Sequence, residues 1–165
     1  MASTRRTALL GAAAIAALLT TTTAAGAQDR SYILATATTG GTYYPVGVAI
    51  ATLVKVRLMA SEGIDMSAIS SAGSGENIAL MRDGQVQFGI LQGLFGRYAA
   101  EGSGPLESEG PQEWVRSIAN IWPNVEHFVV AGEFATTGTI DDLANLAGRP
   151  FSIGARNSGT EGSGR

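Results

Sequence analysis

Tyr32-Ile33-Leu34-Ala35-Thr36-Ala37-Thr38-Thr39-Gly40-Gly41-Thr42-Tyr43-Tyr44-Pro45-Val46-Gly47 reads as a strand that ends in a tight turn and runs straight into a helix. The strand covers Tyr32 to Ala37, where Tyr, Ile, Leu and Thr suit a short buried extended segment. Thr38-Thr39-Gly40-Gly41 ends it. Pro45 fits a first helical turn, where its missing N–H would lack a partner anyway, and Val46, Ile50, Leu53 and Val54 then recur at helical spacing to about Met59. Outward from there the pattern repeats. Ile64 to Ser70 is a second strand, and Ser71-Ala72-Gly73-Ser74 leads into a second helix. Ser74 is placed to cap that helix with its hydroxyl, and Gly84 stops it after Asp83. Val86 to Leu91 is a third strand. Strand, helix, strand, helix, strand predicts an α/β fold with a parallel sheet and helices on its faces.

The second half is less regular. Glu101 to Gly110 is glycine-rich and reads as a surface loop. Trp114 to Trp122 fits either a helix or one face of a strand; the strand is preferred. His127 to Ala131 reads as a strand and Ile140 to Leu146 as a short helix, with Asp141 and Asp142 near its positive end. Phe151 to Gly154 begins another strand. No internal repeat is present.

The N-terminus has the three parts of a secretory signal: Arg5 and Arg6, an apolar run from Ala8 to Leu19, and small residues ending in Ala25-Gly26-Ala27. That run falls short of the roughly 18 residues a bilayer span needs. Cleavage after Ala27 is expected, with export to a periplasm; the arginine pair leaves Sec and twin-arginine export both open. The absence of cysteine removes lipid attachment through a thiol and disulfide bracing. Losing Arg5 and Arg6 takes eleven Lys and Arg to nine against fourteen Asp and Glu, so the formal charge moves from −3 to −5. A nucleic-acid partner is therefore not expected. Apolar content of 45% with 15% charged residues is globular composition, and after the signal no segment reads as long and apolar enough to span a membrane.

In open parallel sheets, ligands bind beyond the carboxyl ends of the strands. Thr39 to Tyr44, Gly73 to Asn77, and Gln92 occupy such places. The first two also lie at helix starts, where unpaired N–H groups and the helix dipole favour an anionic group such as a carboxylate. Asn157-Ser158-Gly159-Thr160 repeats the arrangement. Each position also has a purely structural reading: Ser74 as a cap, Tyr43 and Tyr44 as packing aromatics, Glu76 and Asn77 as parts of a capped first turn. Gln92, polar at the end of an apolar strand, is not accounted for by burial alone. His127 is the single histidine and is expected to pack.

Enzyme signatures are mostly missing. No thiol nucleophile, histidine-rich metal site, Gly-x-Ser-x-Gly elbow or phosphate-binding Gly-x-x-x-x-Gly-Lys-Ser/Thr loop occurs. Adjacent Gly40 and Gly41 do not fit the Gly-x-Gly-x-x-Gly dinucleotide pattern. No catalytic residue, cofactor or metal is expected.

At these segments the chain resembles the TAXI-family substrate-binding proteins of tripartite ATP-independent periplasmic (TRAP) transporters. The matching residues are Thr39 to Gly47, Gly73 to Asn77, Gly89-Ile90-Leu91-Gln92, Val125 to Val130, and Ser158-Gly159-Thr160-Glu161. The resemblance implies a two-lobed Venus-flytrap fold of the type II periplasmic-binding class. It implies an extracytoplasmic receptor, monomeric when complete, that closes on a small organic acid or amino acid, dicarboxylate or glutamate-like, and delivers it to membrane permease subunits. A sensory binding protein or an enzyme using the same cleft is the alternative. Implied ligand contacts are Thr39, Gly41, Thr42, Tyr43, Ser74, Glu76, Asn77 and Gln92 from the first lobe, and Ser158 and Thr160 from the second. The corresponding organisation is a signal at 1–27, lobe I at 28–131 and the start of lobe II at 132–165. Because the family's chains are longer, the second lobe is expected to be truncated.

Overall fold

The computed structural model describes residues 29–165, so the signal segment and its cleavage after Ala27 lie outside the described residues. Three parallel strands form one sheet in the order β2-β1-β3, with β1 spanning Arg30–Ala35, β2 Ile64–Ile69 and β3 Phe88–Gly89. The mixed α/β architecture with a small parallel sheet agrees with the sequence reading.

The register along β1 and β2 is continuous from Arg30↔Ile64 to Ala35↔Ile69. Against β3 it holds only at Leu34↔Phe88 and Ala35↔Gly89. The strand expected from Val86 to Leu91 is thus shortened, for a local reason. At one end the Gln87 side chain, not its backbone, accepts the Ile33 N–H at 3.1 Å. At the other, Asn77 takes the Ile90 carbonyl that a longer ladder would have used.

Helix α1, Tyr43–Glu62, joins β1 to β2 and lies against both. Gly47 and Ala51 are its buried residues, because small side chains let it settle onto the sheet beside Thr36. It ends on Gly63, whose left-handed backbone (φ 63°) returns its N–H to the Leu58 and Met59 carbonyls. Over its most apolar 18 residues α1 has a mean hydropathy of 1.3, which makes it long and apolar enough to cross a membrane by length and composition. That corrects the expectation that no such segment follows the signal. The helix reaches this value by keeping Leu53 and Val56 on its solvent face while Gly47 and Ala51 meet the sheet.

Helix α2, Ser74–Arg82, joins β2 to β3, and helix α3, Gly93–Glu101, follows Gln92. The sequence reading leaves the α3 residues unassigned. Ile78, Phe95, Ala99 and Leu106 make the core, with Met81, Leu91 and Tyr98 packed around it. Leu106 comes from Gly104–Glu109, which is a 3-10 helix docked on the core and not the surface loop expected there. Gln112 fastens it, donating its backbone N–H to Ala99 and its amide to the Gly110 carbonyl, both at 2.7 Å.

Three further expectations fail. Trp114–Trp122 and His127–Ala131 form no strand; they run as irregular chain with Ile118, Phe128 and Val129 exposed. A strand exists only where a neighbour supplies its hydrogen bonds. Among the described residues nothing pairs with either segment. Phe151–Gly154 likewise forms no strand, whereas the short helix expected at Ile140–Leu146 is present with 3-10 geometry. Gly159–Ser163 forms a last short helix, α4.

Candidate functional site

A cleft of about 260 Å³ lies at the carboxyl ends of the three strands. With strand order β2-β1-β3 the chain leaves β1 towards one side and later returns to the other, so β1 and β3 flank the switch point where such sheets bind ligands. Three strand-end turns form one wall, through Gly41 to Tyr43, Gly73-Ser74 and Gln92. Trp122, Asn124 and the turn at Ser158-Gly159-Thr160 face them.

Of the sequence-predicted contacts, Gly41, Thr42, Tyr43, Ser74, Gln92, Ser158 and Thr160 line this cleft. Thr39, Glu76 and Asn77 do not. Asn77 is fully buried and committed elsewhere. Its amide nitrogen donates to the carbonyls of Thr36 (2.7 Å) and Ile90 (2.8 Å), and its oxygen accepts the Ser71 hydroxyl at 2.6 Å. It clasps β1 to β3 below the cleft floor. Glu76 turns back to accept the Ala72 N–H at 2.5 Å.

Ser74 is not the cap that the sequence suggests. Gly73 takes that position, and the Ser74 hydroxyl accepts the Gln92 N–H at 2.9 Å, tying the start of α2 to the start of α3. The α2 N-terminus is also closed to an anion, because the Asn157 carbonyl accepts from Gly75 (2.9 Å) and Glu76 (3.4 Å). A helix start whose N–H groups are taken offers little to a carboxylate. The α1 start differs. The N–H groups of Thr42, Tyr43 and Tyr44 have no partner among the described residues, and Thr42 and Tyr43 line the cleft.

The turn at Ser158 mirrors the one at Gly73. The Ser158 hydroxyl accepts the Glu161 N–H at 3.1 Å, while the Glu161 carboxylate accepts the Asn157 N–H at 2.6 Å. The Arg165 guanidinium, then that N–H, hold the Glu161 carboxyl below the usual range. Glycines let the two turns touch: a side chain on Gly75 would meet the Asn157 carbonyl at 2.9 Å, and one on Gly159 would meet Gln92 Oε1 at 2.8 Å.

Two cleft features escape the sequence reading. Trp122 packs edge-on against Tyr43, ring centroids 5.6 Å apart. Burial pushes the Tyr43 phenol upward, opposed by a hydrogen bond with Ser74 and reinforced by the Glu126 carboxylate. Glu126 is the second. It accepts from Gln92 Nε2 at 2.5 Å and from Asn124 Nδ2 at 3.2 Å. Neither residue is singled out by composition or spacing, although Glu126 falls within the TAXI-like block Val125 to Val130; both lie in irregular chain placed by tertiary contact. Gln92 Oε1 is buried without a partner among the described residues, a state that costs about 1–3 kcal/mol.

Residues 34–165 match the model of the NMT1-like family. The chain belongs to that family. NMT1-like proteins are a substrate-binding family related to TRAP and ABC solute receptors, so this chain is a solute-binding protein in general terms, with a small molecule as its ligand. The cleft suits that role. Its lining holds backbone N–H groups, hydroxyls, amides and two aromatic rings, and no aspartate, glutamate, lysine, arginine or histidine. Among the described residues no group of histidine, aspartate and glutamate is placed to hold a metal.

Proposed function

We propose that this NMT1-like protein is an extracytoplasmic receptor that captures a small organic acid or amino acid, dicarboxylate or glutamate-like, and hands it unaltered to the permease of a TRAP-type transporter. The observation that carries this reading is the cleft itself. Three strand-end turns and the Ser158 turn converge on one space lined by neutral hydrogen-bonding groups, with the open N-terminus of α1 as its place for a carboxylate. Such a lining can hold and orient an acid. It lacks a paired acid and base to transform one.

Delivery to a TRAP permease rests on the TAXI-like blocks at Thr39–Gly47, Gly73–Asn77 and Ser158–Glu161. Export to a periplasm rests on the signal-like residues that end at Ala27. Isothermal titration calorimetry against small dicarboxylates and acidic amino acids, with product analysis of the same mixtures, tests the proposal. A saturable heat with the ligand recovered intact is expected. Failure of every such acid to bind, with turnover of some other substrate, would overturn it.

A further inference from the structure

Glu126 lies on an exposed stretch and does not line the cleft, yet it governs a group that does. A carboxylate only accepts hydrogen bonds, whereas a carboxamide has one donating and one accepting end. With Glu126 Oε1 at 2.5 Å from Gln92 Nε2, the reverse orientation of the Gln92 amide would set two oxygens against each other. The backbone of Gln92 is held as well, by the Ser74 hydroxyl at 2.9 Å. Both ends of the residue are therefore fixed. Gln92 is only 7% exposed, and its Oε1 is left as an oriented acceptor with no donor among the described residues. The Ser158-Gly159 turn lies against that oxygen, which a side chain on Gly159 would meet at 2.8 Å, and both the turn and Gln92 line the cleft.

We infer that Glu126 is a positioning residue that makes the cleft select a ligand bearing an N–H or O–H donor for Gln92 Oε1. The ligand class is a 2-amino or 2-hydroxy acid in preference to the matching 2-oxo acid. Entry of the ligand moves the Ser158-Gly159 turn outward enough for the donor to reach the oxygen. A keto oxygen in that place meets lone pair with lone pair and leaves the buried acceptor unpaired, the situation in which polar sites discriminate most strongly. This inference rests on the receptor reading above.

The test is calorimetry of the full chain with matched acids: L-glutamate and 2-hydroxyglutarate against 2-oxoglutarate, and L-alanine and L-lactate against pyruvate. The wild-type protein is expected to bind the donor-bearing members of at least one set about tenfold or more tightly than the oxo member. Glu126→Gln and Glu126→Ala free the Gln92 amide to turn over, so both are expected to lose most of that preference while keeping the wild-type circular dichroism spectrum. Glu126→Asp, still an acceptor only, is expected to keep the preference. An unchanged preference in folded E126Q and E126A would overturn the role of Glu126. Wild-type preference for the oxo acid would overturn the inference and leave the receptor reading standing. Binding of a dicarboxylate without a 2-substituent, such as succinate, with no binding of any of the six acids to the folded wild-type protein would likewise overturn the inference and leave the receptor reading standing.

Discussion

Asn77 shows how one side chain can look like a ligand contact and act as a structural clasp. The motif Gly73-Ser74-Gly75-Glu76-Asn77 places it at a helix start beyond a strand, where a ligand-facing amide is a fair expectation. What the residue does depends on two carbonyls far away in sequence, at Thr36 and Ile90, which the fold leaves without strand partners. Asn77→Ala leaves both buried and unpaired, so we expect a loss of about 2–4 kcal/mol in urea unfolding, at an unchanged slope. Asn77→Asp should cost at least as much, because it points a carboxylate at carbonyl oxygens. A loss under about 0.5 kcal/mol in the alanine variant would mean that water replaces the amide and that no clasp exists. Ser74 and Gln92 belong to the same lesson. Their residue types were legible as polar groups at strand ends, but their pairing with each other was not, because 18 positions separate them.

Elements differ in how closely their glycines are packed. In α1 a side chain on Gly47 would overlap Thr36 Cγ2, whereas in α3 Gly96 faces open space. Alanine gains about 1 kcal/mol over glycine in a helix interior, and overpacking costs about 1–3 kcal/mol. Gly96→Ala is therefore expected to raise the melting temperature and Gly47→Ala to lower it, which a pair of thermal scans decides. The 3-10 helix Ile140–Leu146 has its own anchor. Asp142 is 4% exposed; burial raises its pKa, but hydrogen bonds from the hydroxyls and N–H groups of Thr136, Thr137 and Gly138 outweigh that and hold it at about 2 against an ordinary 3.8. Because the folded value lies below the unfolded one, its stabilisation is complete above about pH 4 and disappears as the pH falls through 2. The melting-temperature gap between wild type and Asp142→Asn should shrink across that window. A gap that stays constant from pH 5 to pH 2 would contradict the assignment.

Across the whole molecule, order is concentrated around the sheet and the helices that cover it. From Arg116 to Glu133 no backbone N–H finds a partner among the described residues, and Val129 is 87% exposed. Hydrogen exchange followed by mass spectrometry should show these amides exchanging fast while those of β1 and β2 stay protected. Protection of His127–Ala131 equal to that of β1 would restore the strand that its composition suggests. The same long stretch carries Trp122 and Asn124 to the cleft, where they face the strand-end turns, and sets Glu126 behind Gln92. Reading the residues alone was enough for the βαβαβ order, the parallel sheet and the polar turns at strand ends that line the cleft, because apolar periodicity and glycine turns are local and act over a few neighbours. It could not reach the closing of the α2 start by the Asn157 carbonyl, the release of Asn77 from the site or the orientation of Gln92 by Glu126. Those depend on groups distant in sequence competing for the same hydrogen bonds, and such competition is settled only when the chain has folded and each buried donor has met its acceptor.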